Sequence, residues 1–396
     1  MLIDASVGDE MDYVLSEEQR ALQTTARAIL ESEGGTGPAR RAAEAPSDSF
    51  DAFDGRLLNA ASTAGWLGLG IAEEQGGSGG STIEQLLIAI ELGRTVAPLS
   101  LFGCALTAEF LARVDERNSD LLTGIADGSV RPSWALTEKF RPWQAEAVAL
   151  RGTSNNGGLR LNGSKCYAVD ADSGTMLLVT ARTEHADLVV AAVDVDAAGV
   201  HVERQQTLDL SRHLCRVDFD ACLVDSEAIL ATGSEAEWLT GRVLRLGALL
   251  AAAESLGVAE RLLELTVSYA KERVQFGQPI GSFQAIKHKC ADLRIRLEGA
   301  RTLLYVAAMH HDRDTPSAAR YVHMAKANTN DAAVEIAGEA LQIHGGIGMT
   351  WEHDLHLFLR RARVNAALFG TTGEHRRAAL ACALHDRAVV AVGAQR

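Results

Sequence analysis

Two hydrophobic periods alternate along the chain. From residue 16 to about residue 130, apolar positions recur every three or four residues, the spacing of amphipathic helices. Ser16-Glu17-Glu18-Gln19 is a capping box predicting a helix to about Ser32, and Ser81 with Glu84 predicts a second such start. Residues 33–50, rich in Gly, Ala, Pro and Ser, read as an exposed connection, followed by a helix from about Phe53 to Ala64 that stops at Gly65. From about Arg131 the period shortens to two. Strands are expected at Ala145–Leu150, Leu159–Tyr167, Thr175–Thr180, Leu188–Val193 and Cys215–Phe219, with Asn162-Gly163 as a hairpin turn. After about Ser234 the helical period returns. Arg242 to Val274 is apolar on most sides, and Ser282 is a candidate N-cap for a helix running to about Asp312. Phe283, Ile286, Leu293, Leu297 and Leu304 share one stripe of that helix, and a further helix starts at about Ser317. The expected division is 1–130 helical, 131–233 β and 234–396 helical.

Composition narrows the class. With 396 residues, 47% hydrophobic but only 5% aromatic, the chain has material for two or three mainly helical domains. Its net charge of −14 argues against nucleic-acid binding, and any polyanionic ligand needs a local basic site against the global field. No apolar run reaches the ~18 residues of a membrane span. The start, MLIDASVGDEMDY, is acidic and lacks a signal peptide's basic and apolar regions, so a cytoplasmic location is expected. Six scattered cysteines form no C-x-x-C pair and no metal-ligand spacing, and read as buried free thiols. The glycine-rich run at 76–80 lacks the Lys-Ser/Thr of a phosphate cradle and reads as a loop.

The most informative stretch is Tyr269–Asp292, YAKERVQFGQPIGSFQAIKHKCAD. Pro279, with no N–H, and the permissive Gly277 mark a fixed helix-to-helix turn. The pattern R-x-x-F-G-x-P-I-x-x-F-Q-x-x-x-H-x-x-A-D resembles the C-terminal signature of the acyl-CoA dehydrogenase family. ALQIHGGIG at 340–348 resembles that family's second flavin segment, and the likeness extends over residues 15–390. The resemblance implies an α+β, mainly α fold: a helical N-domain, a middle β-barrel-like domain and a C-terminal four-helix bundle that oligomerises. It also implies FAD as cofactor. Arg273 would grip the FAD diphosphate, which suits a permanently charged guanidinium, with Phe276 and Gln284 near the ADP half. Gln342, Gly345 and Gly346 would meet the same half, bare backbone N–H groups suiting an anion, and both sets would act largely across a subunit interface. Ala135-Leu136-Thr137-Glu138 matches the start of the middle domain and makes Thr137 a flavin-side residue. Two departures stand out: Ala72-Glu73 replaces the family's Pro-Glu, and Lys139-Phe140-Arg141-Pro142 replaces its Pro-Gly-Ala-Gly-Ser-Asp loop.

The family's chemistry needs a carboxylate to remove the α-proton of an acyl-CoA thioester. Its usual position falls here on Gly370, and the alternative position, counted back from Arg273, on Gly247. The flavin-binding aromatic-x-Thr appears as Tyr167-Ala168-Val169. The pattern resembles the base-less subunit of heterotetrameric (α2β2) acyl-CoA dehydrogenases of steroid side-chain breakdown, in which a same-fold partner carries the Glu. Rival readings are a homo-oligomeric dehydrogenase with Glu254 as a relocated base, and a flavin-free member that binds acyl-CoA or catalyses hydration. An electron-transfer flavoprotein is the acceptor that the family implies. Glu254 reads more readily as a paired structural residue, Glu374 as a solvated helix end, and Glu352-His353-Asp354 as packing and charge pairing, with no metal site expected. His288 is given a structural role. Asp209, Arg212 and Arg216 are expected to be ion-paired surface or interface groups.

Overall fold

The computed structural model describes residues 14–45, 55–114 and 118–393, with side chains through His385. The signal-peptide reading and the start of the helix placed at Phe53 lie outside these residues. Among the described residues, six α-helices come first: α1 (Glu17–Ser32), α2 (Gly37–Glu44), α3 (Gly55–Thr63), α4 (Thr82–Thr95), α5 (Phe102–Leu111) and α6 (Ser119–Asp127). Both capping boxes form, Ser16 with Gln19 and Ser81 with Glu84. The run at 76–80 is a loop. The supposed connection at 33–50 contains α2, whose Pro38, Ala39 and Ala42 are buried. Its small residues were misleading, because alanine favours helix and Pro is welcome in a first turn.

The middle of the chain is an eight-stranded sheet. Its strands are β1 (Pro132–Ala135), β2 (Arg151–Asn155), β3 (Gly158–Val169), β4 (Met176–Arg182), β5 (Leu188–Asp194), β6 (Val200–Arg204), β7 (Leu214–Val224) and β8 (Ile229–Thr232). The order is β6-β7-β3-β2-β4-β5-β8, with β1 pairing β4 in parallel. Ala145–Leu150 is not a strand; a short 3-10 turn occupies 145–147 and pairing starts at Arg151. Asn162-Gly163 is not a hairpin either. It lies inside β3 at a bulge against β7, where Gly163 has φ 131° and Asn162 Oδ1 accepts from Ala221 N at 2.9 Å. The β2–β3 hairpin turns on the other Asn-Gly, Asn156 (φ 47°) and Gly157 (φ 91°), a pair of left-handed residues suited to a two-residue turn.

Five helices complete the chain: α7 (Gly233–Glu272), α8 (Gln284–Asp312), α9 (Ala318–His344), α10 (Leu355–Asn365) and α11 (Thr372–Gly393). α7 spans 40 residues and is buried on every side from Leu246 to Glu260, packed against α4, α8 and α9. Its crossing with α4 is close: a Cβ on Gly93 would lie 2.1 Å from Glu254 O, and one on Gly257 1.9 Å from Ile90 O. The helix-to-helix turn after α7 holds a small hairpin, β9 (Val274–Gln275) and β10 (Gln278–Pro279). Ser282 does not cap α8. Phe283 occupies the cap position, and Ser282 Oγ donates to Pro279 O at 2.7 Å, closing the turn instead. Leu293, Leu297 and Leu304 are buried, while Phe283 and Ile286 are half-buried. Among the described residues, no helix is long and apolar enough to cross a membrane.

Candidate functional site

Two regions carry the residues singled out by the sequence. The first is the end of the bundle where α7 stops. Arg273 follows its last turn, and Phe276 (φ 53°) and Gly277 (φ 79°) form the tip of the β9–β10 hairpin. The Phe276 ring is 93% exposed, touching Phe283 edge-on at 6.2 Å between centroids. Arg273 is exposed, and its guanidinium reaches no partner among the described residues.

α9 brings the second segment to the same end. Tyr269, one turn before Arg273, stacks on His344 at 4.3 Å, and its hydroxyl donates to His344 O at 3.4 Å. Gly345 and Gly346 follow directly. Gly345 has φ 63° and ψ −140°, a backbone state essentially confined to glycine, and a Cβ on either residue would meet nothing within 4 Å. The space over them is open. α8 runs antiparallel to α9, tied by Lys289–Glu339 and by Arg296–Glu335 at 3.1 Å. This register sets Gln284, at the start of α8, beside the end of α9 that carries Gln342. Both glutamines are exposed. His288 is exposed on α8, with no side-chain partner among the described residues.

The second region is the interior junction of sheet and bundle, and it is closed. Phe369 (φ 57°) points into the packing and is 4% exposed. Its ring lies 5.3 Å from Phe102 and 4.8 Å from Trp143. A Cβ on Gly247 would fall 2.4 Å from Phe369 Cε1, so the ring occupies the direction a side chain there would take. At Gly370 (φ 108°) a Cβ would lie 2.8 Å from His375 Nε2. The space lined by Phe102, Trp134, Trp143, Tyr167 and Phe369 is only about 10 Å³. Both glycines are thus packing positions against aromatic rings.

His375 also holds this turn from behind. Its Nε2 lies 2.9 Å from Phe369 O, and a carbonyl only accepts, so Nε2 carries the proton. Nδ1 is then an acceptor, satisfied by His323 Nδ1–H at 2.8 Å. Burial is the main force lowering both rings' basicity, His375 to about 3 and His323 to about 4.

Beneath Phe102 lies a buried ionic network. Arg212 packs over the Phe102 ring at 5.1 Å and donates to both oxygens of Glu254 at 2.7 and 2.8 Å. Asn365 Nδ2 donates to Glu254 Oε2 at 3.0 Å, and Asn365 Oδ1 accepts from Arg212 at 2.9 Å. The fully buried Arg361 pairs with Asp209 and donates to Ser211 Oγ at 2.9 Å. Lys326 Nζ donates to Asn365 O at 2.6 Å, and burial lowers its pKa to about 7. Asp209 and Arg212, expected as ion-paired surface or interface groups, are ion-paired but buried, 2% and 5% exposed, each against a buried counter-charge. Arg216 is exposed and pairs with Asp218 at 2.7 Å.

The remaining candidates are placed as follows. Glu374 Oε2 accepts from Thr371 N at 2.7 Å and Thr371 Oγ1 at 2.8 Å, a capping arrangement at the start of α11. Asp354 pairs with Arg40 and accepts from Thr36 Oγ1 at 2.6 Å, fastening α2 to α10. Thr137 is buried, its backbone O accepting from Cys166 N at 2.8 Å. Its neighbour Glu138 accepts from Ala149 N and Leu150 N at 3.1 and 3.0 Å and from the fully buried Lys165 at 2.6 Å. Burial lowers Lys165 to about 8. This knot ties Glu138 to residues 149–150 and to β3. No group of three metal-ligating side chains occurs among the described residues.

The family profile "Acyl-CoA dehydrogenase, N-terminal domain" matches residues 16–128, and "Acyl-CoA dehydrogenase, C-terminal domain" matches 238–384. The chain is 32% identical over 361 residues to "Acyl-CoA dehydrogenase IpdE2" of Mycobacterium tuberculosis, covering 90% of this chain and 95% of that one. Among solved structures, it superposes on a chain of a variant of the Tcur3481-Tcur3483 steroid ACAD with TM-score 0.83 at 28% identity, over 94% of this chain and 99% of that one. It superposes equally on a chain of the ChsE4-ChsE5 complex of Mycobacterium tuberculosis, TM-score 0.83 at 25% identity, over 93% and 97%. With both terminal domains matched and nearly all of a 32%-identical relative covered, the chain belongs to the acyl-CoA dehydrogenase family, oxidoreductases acting on CH–CH groups.

Proposed function

We propose that this chain is the base-less subunit of a heteromeric, FAD-dependent acyl-CoA dehydrogenase, and that it completes the cofactor site of a same-fold partner. The observation that carries this reading is the contrast at the two customary base positions. Gly247 faces the Phe369 ring and Gly370 faces the His375 ring, so neither carries a carboxylate and neither has room for one as the side chains stand. Glu254, the fallback base, is 2% exposed and already receives three hydrogen bonds from Arg212 and Asn365.

The exposed bundle end fits an external nucleotide cofactor. Arg273 offers an unpaired guanidinium for the FAD diphosphate, and Gly345 and Gly346 offer backbone with open space above it. Gln284 and Gln342 supply amide donors and acceptors beside them, and Phe276 an exposed ring for the ADP half. When bound, FAD supplies the two-electron acceptor for α,β-desaturation of the acyl-CoA. This chain's part is to hold the cofactor and cover it from water, while the α-proton goes to the partner's carboxylate. Electrons leave through the family's usual electron-transfer flavoprotein. The relatives point to a bulky, steroid-derived acyl group, since one structural neighbour is a steroid ACAD and another is a complex of two chains.

The test is to purify the chain alone and co-expressed with a same-family partner that carries the Glu, reading flavin absorbance per chain, mass and desaturation. The expected result is flavin and activity only in the mixed complex, at about one flavin per two chains. A yellow, active homo-oligomer of this chain alone overturns the proposal.

A further inference from the structure

The chain holds two Asn-Gly pairs, Asn156-Gly157 and Asn162-Gly163, and the fold treats them in opposite ways. Such a pair is chemically special because glycine has no Cβ to screen its backbone nitrogen. That nitrogen can attack the side-chain carbonyl of the preceding Asn and close a five-membered imide ring. Both pairs are exposed, so access of water does not separate them. Freedom of the backbone does.

Asn156 and Gly157 form the tip of the β2–β3 hairpin, between the paired residues Asn155 and Gly158. Gly157 N donates to no carbonyl, and the Asn156 carboxamide has no partner, among the described residues. A Cβ on Gly157 would meet nothing within 4 Å, so the tip stands in open space. Only the turn itself resists bringing Asn156 Cγ onto Gly157 N. Asn162-Gly163 is clamped instead. Asn162 pairs with Arg151 of β2, and Gly163 pairs with Phe219 of β7. The Asn162 carboxamide is held as well, its Oδ1 accepting from Ala221 N at 2.9 Å. Ring closure there requires breaking that bond and opening the ladder on both sides, and a reaction that waits for local opening is slowed by the cost of the opening.

We propose that Asn156 is a self-modification site: the native chain deamidates at Asn156-Gly157 and is spared at Asn162-Gly163. Gly157 N loses its proton as it bonds to Asn156 Cγ, the bond from Cγ to Nδ2 breaks, and ammonia leaves with that proton. Water then opens the ring. Cleavage of the ring nitrogen from Cγ gives aspartate, and cleavage from the main-chain carbonyl gives isoaspartate, whose backbone runs through Cβ. One water is consumed and one ammonia released, with no oxidant or reductant. Aspartate accepts the left-handed φ of 47° and keeps the turn, whereas isoaspartate lengthens it by one carbon. Either product adds one negative charge. Tyr167, on the same strand, lies roughly 30 Å away at the rise of a β-strand, so the change sits well apart from the closed junction.

The test is to age the full native chain in warm, mildly alkaline buffer and digest it with trypsin, with an unaged sample as the blank. Cleavage after Arg151, Arg160 and Lys165 puts the two pairs on separate peptides, 152–160 and 161–165. Mass spectrometry reads the gain from amide to acid, fragment ions assign it to Asn156 rather than Asn155, and chromatography separates the isoaspartyl form. Peptide 152–160 is expected to convert at least about tenfold faster than 161–165 in the native chain, the effect of one held carboxamide and its ladder. In guanidinium chloride, where neither pair is held, the two rates are expected to come within about threefold of each other. Equal rates in the native chain, or faster conversion at Asn162, overturn the proposal. So does an Asn156 that reacts in guanidinium chloride but not in the native chain, because the turn then blocks ring closure. A tenfold ratio that persists in guanidinium chloride also overturns it, since local sequence and not the fold would set the difference.

Discussion

The exposed end of the bundle and the closed junction lie in one helical scaffold and obey opposite rules. At the junction four charges pair off and two glycines each have a ring against them: Glu254 with Arg212, Asp209 with Arg361, Gly247 with Phe369, Gly370 with His375. At the bundle end, Arg273 has no partner among the described residues, Phe276 is 93% exposed, and Gly345 and Gly346 face open space. A protein interior left with unpaired charge would be unstable, so the first pattern is what folding requires. Folding does not require the second. Groups held unpaired on ordered backbone are a surface prepared for something else, and the difference shows which residues to remove to unfold the chain and which to empty a site.

The largest effect is expected inside. Glu254→Ala strands Arg212 without its carboxylate, and breaking such a buried pair costs about 3–5 kcal/mol. Denaturant unfolding should show that loss in the midpoint, and a change under about 1 kcal/mol would show that the network is not structural. Gly247→Glu is next. It drives a side chain into the Phe369 ring, an overpacking worth about 1–3 kcal/mol. The chain is expected to lose stability without gaining dehydrogenase activity of its own, measured with the purified variant and an artificial electron acceptor.

Acid should act on the same region through the histidine pair. Both rings have basicities lowered from about 6.5, to about 3 and about 4, so the unfolded chain binds protons more readily than the folded one. Their stabilising contribution is complete above pH 6.5 and is lost as pH falls towards the folded values. At about 1.4 kcal/mol per unit, each ring can remove up to about 3 kcal/mol between pH 6.5 and pH 4. The expected signature is a melting temperature that drops across that window in wild type and drops less in His323→Phe. Equal slopes in the two proteins would assign the acid sensitivity elsewhere.

How much of this the sequence disclosed follows from the range of the interactions. The capping boxes at Ser16 and Ser81 are settled within four residues, and the α7 and α9 helices by their own periodicity, so all were legible. Asn-Gly was the right hairpin signal, but the chain holds two, six residues apart. Only the pairing of β3 with β7 decides that Asn162-Gly163 becomes a bulge and Asn156-Gly157 the turn. That Arg273, Phe276, Gln342 and the glycines gather at one exposed end of the bundle was legible, because each lies in a short run at a helix end. The buried state of Asp209 and Arg212 was not, since their partners lie on helices far along the chain. The same is true of the ring that fills Gly247: nothing near residue 247 announces residue 369.

The smallest structural effect should come from the other side of the comparison. Arg273→Ala removes an exposed cation with no partner among the described residues, so the melting temperature of the isolated protein should stay within about 1 °C, as for an ordinary surface substitution. In the mixed complex the same change should raise the dissociation constant for FAD by about ten- to a hundredfold, the loss of charge-assisted hydrogen bonds to a diphosphate. Arg273→Lys should restore only part of this, because an ammonium keeps the charge but not the two-pronged geometry. A fall in stability matching the fall in flavin would mean that Arg273 holds the hairpin together and that the two regions are not separate after all. Retained stability with lost flavin would support the proposed division of the molecule, into a part that must be filled by itself and a part that waits for its partner's cofactor.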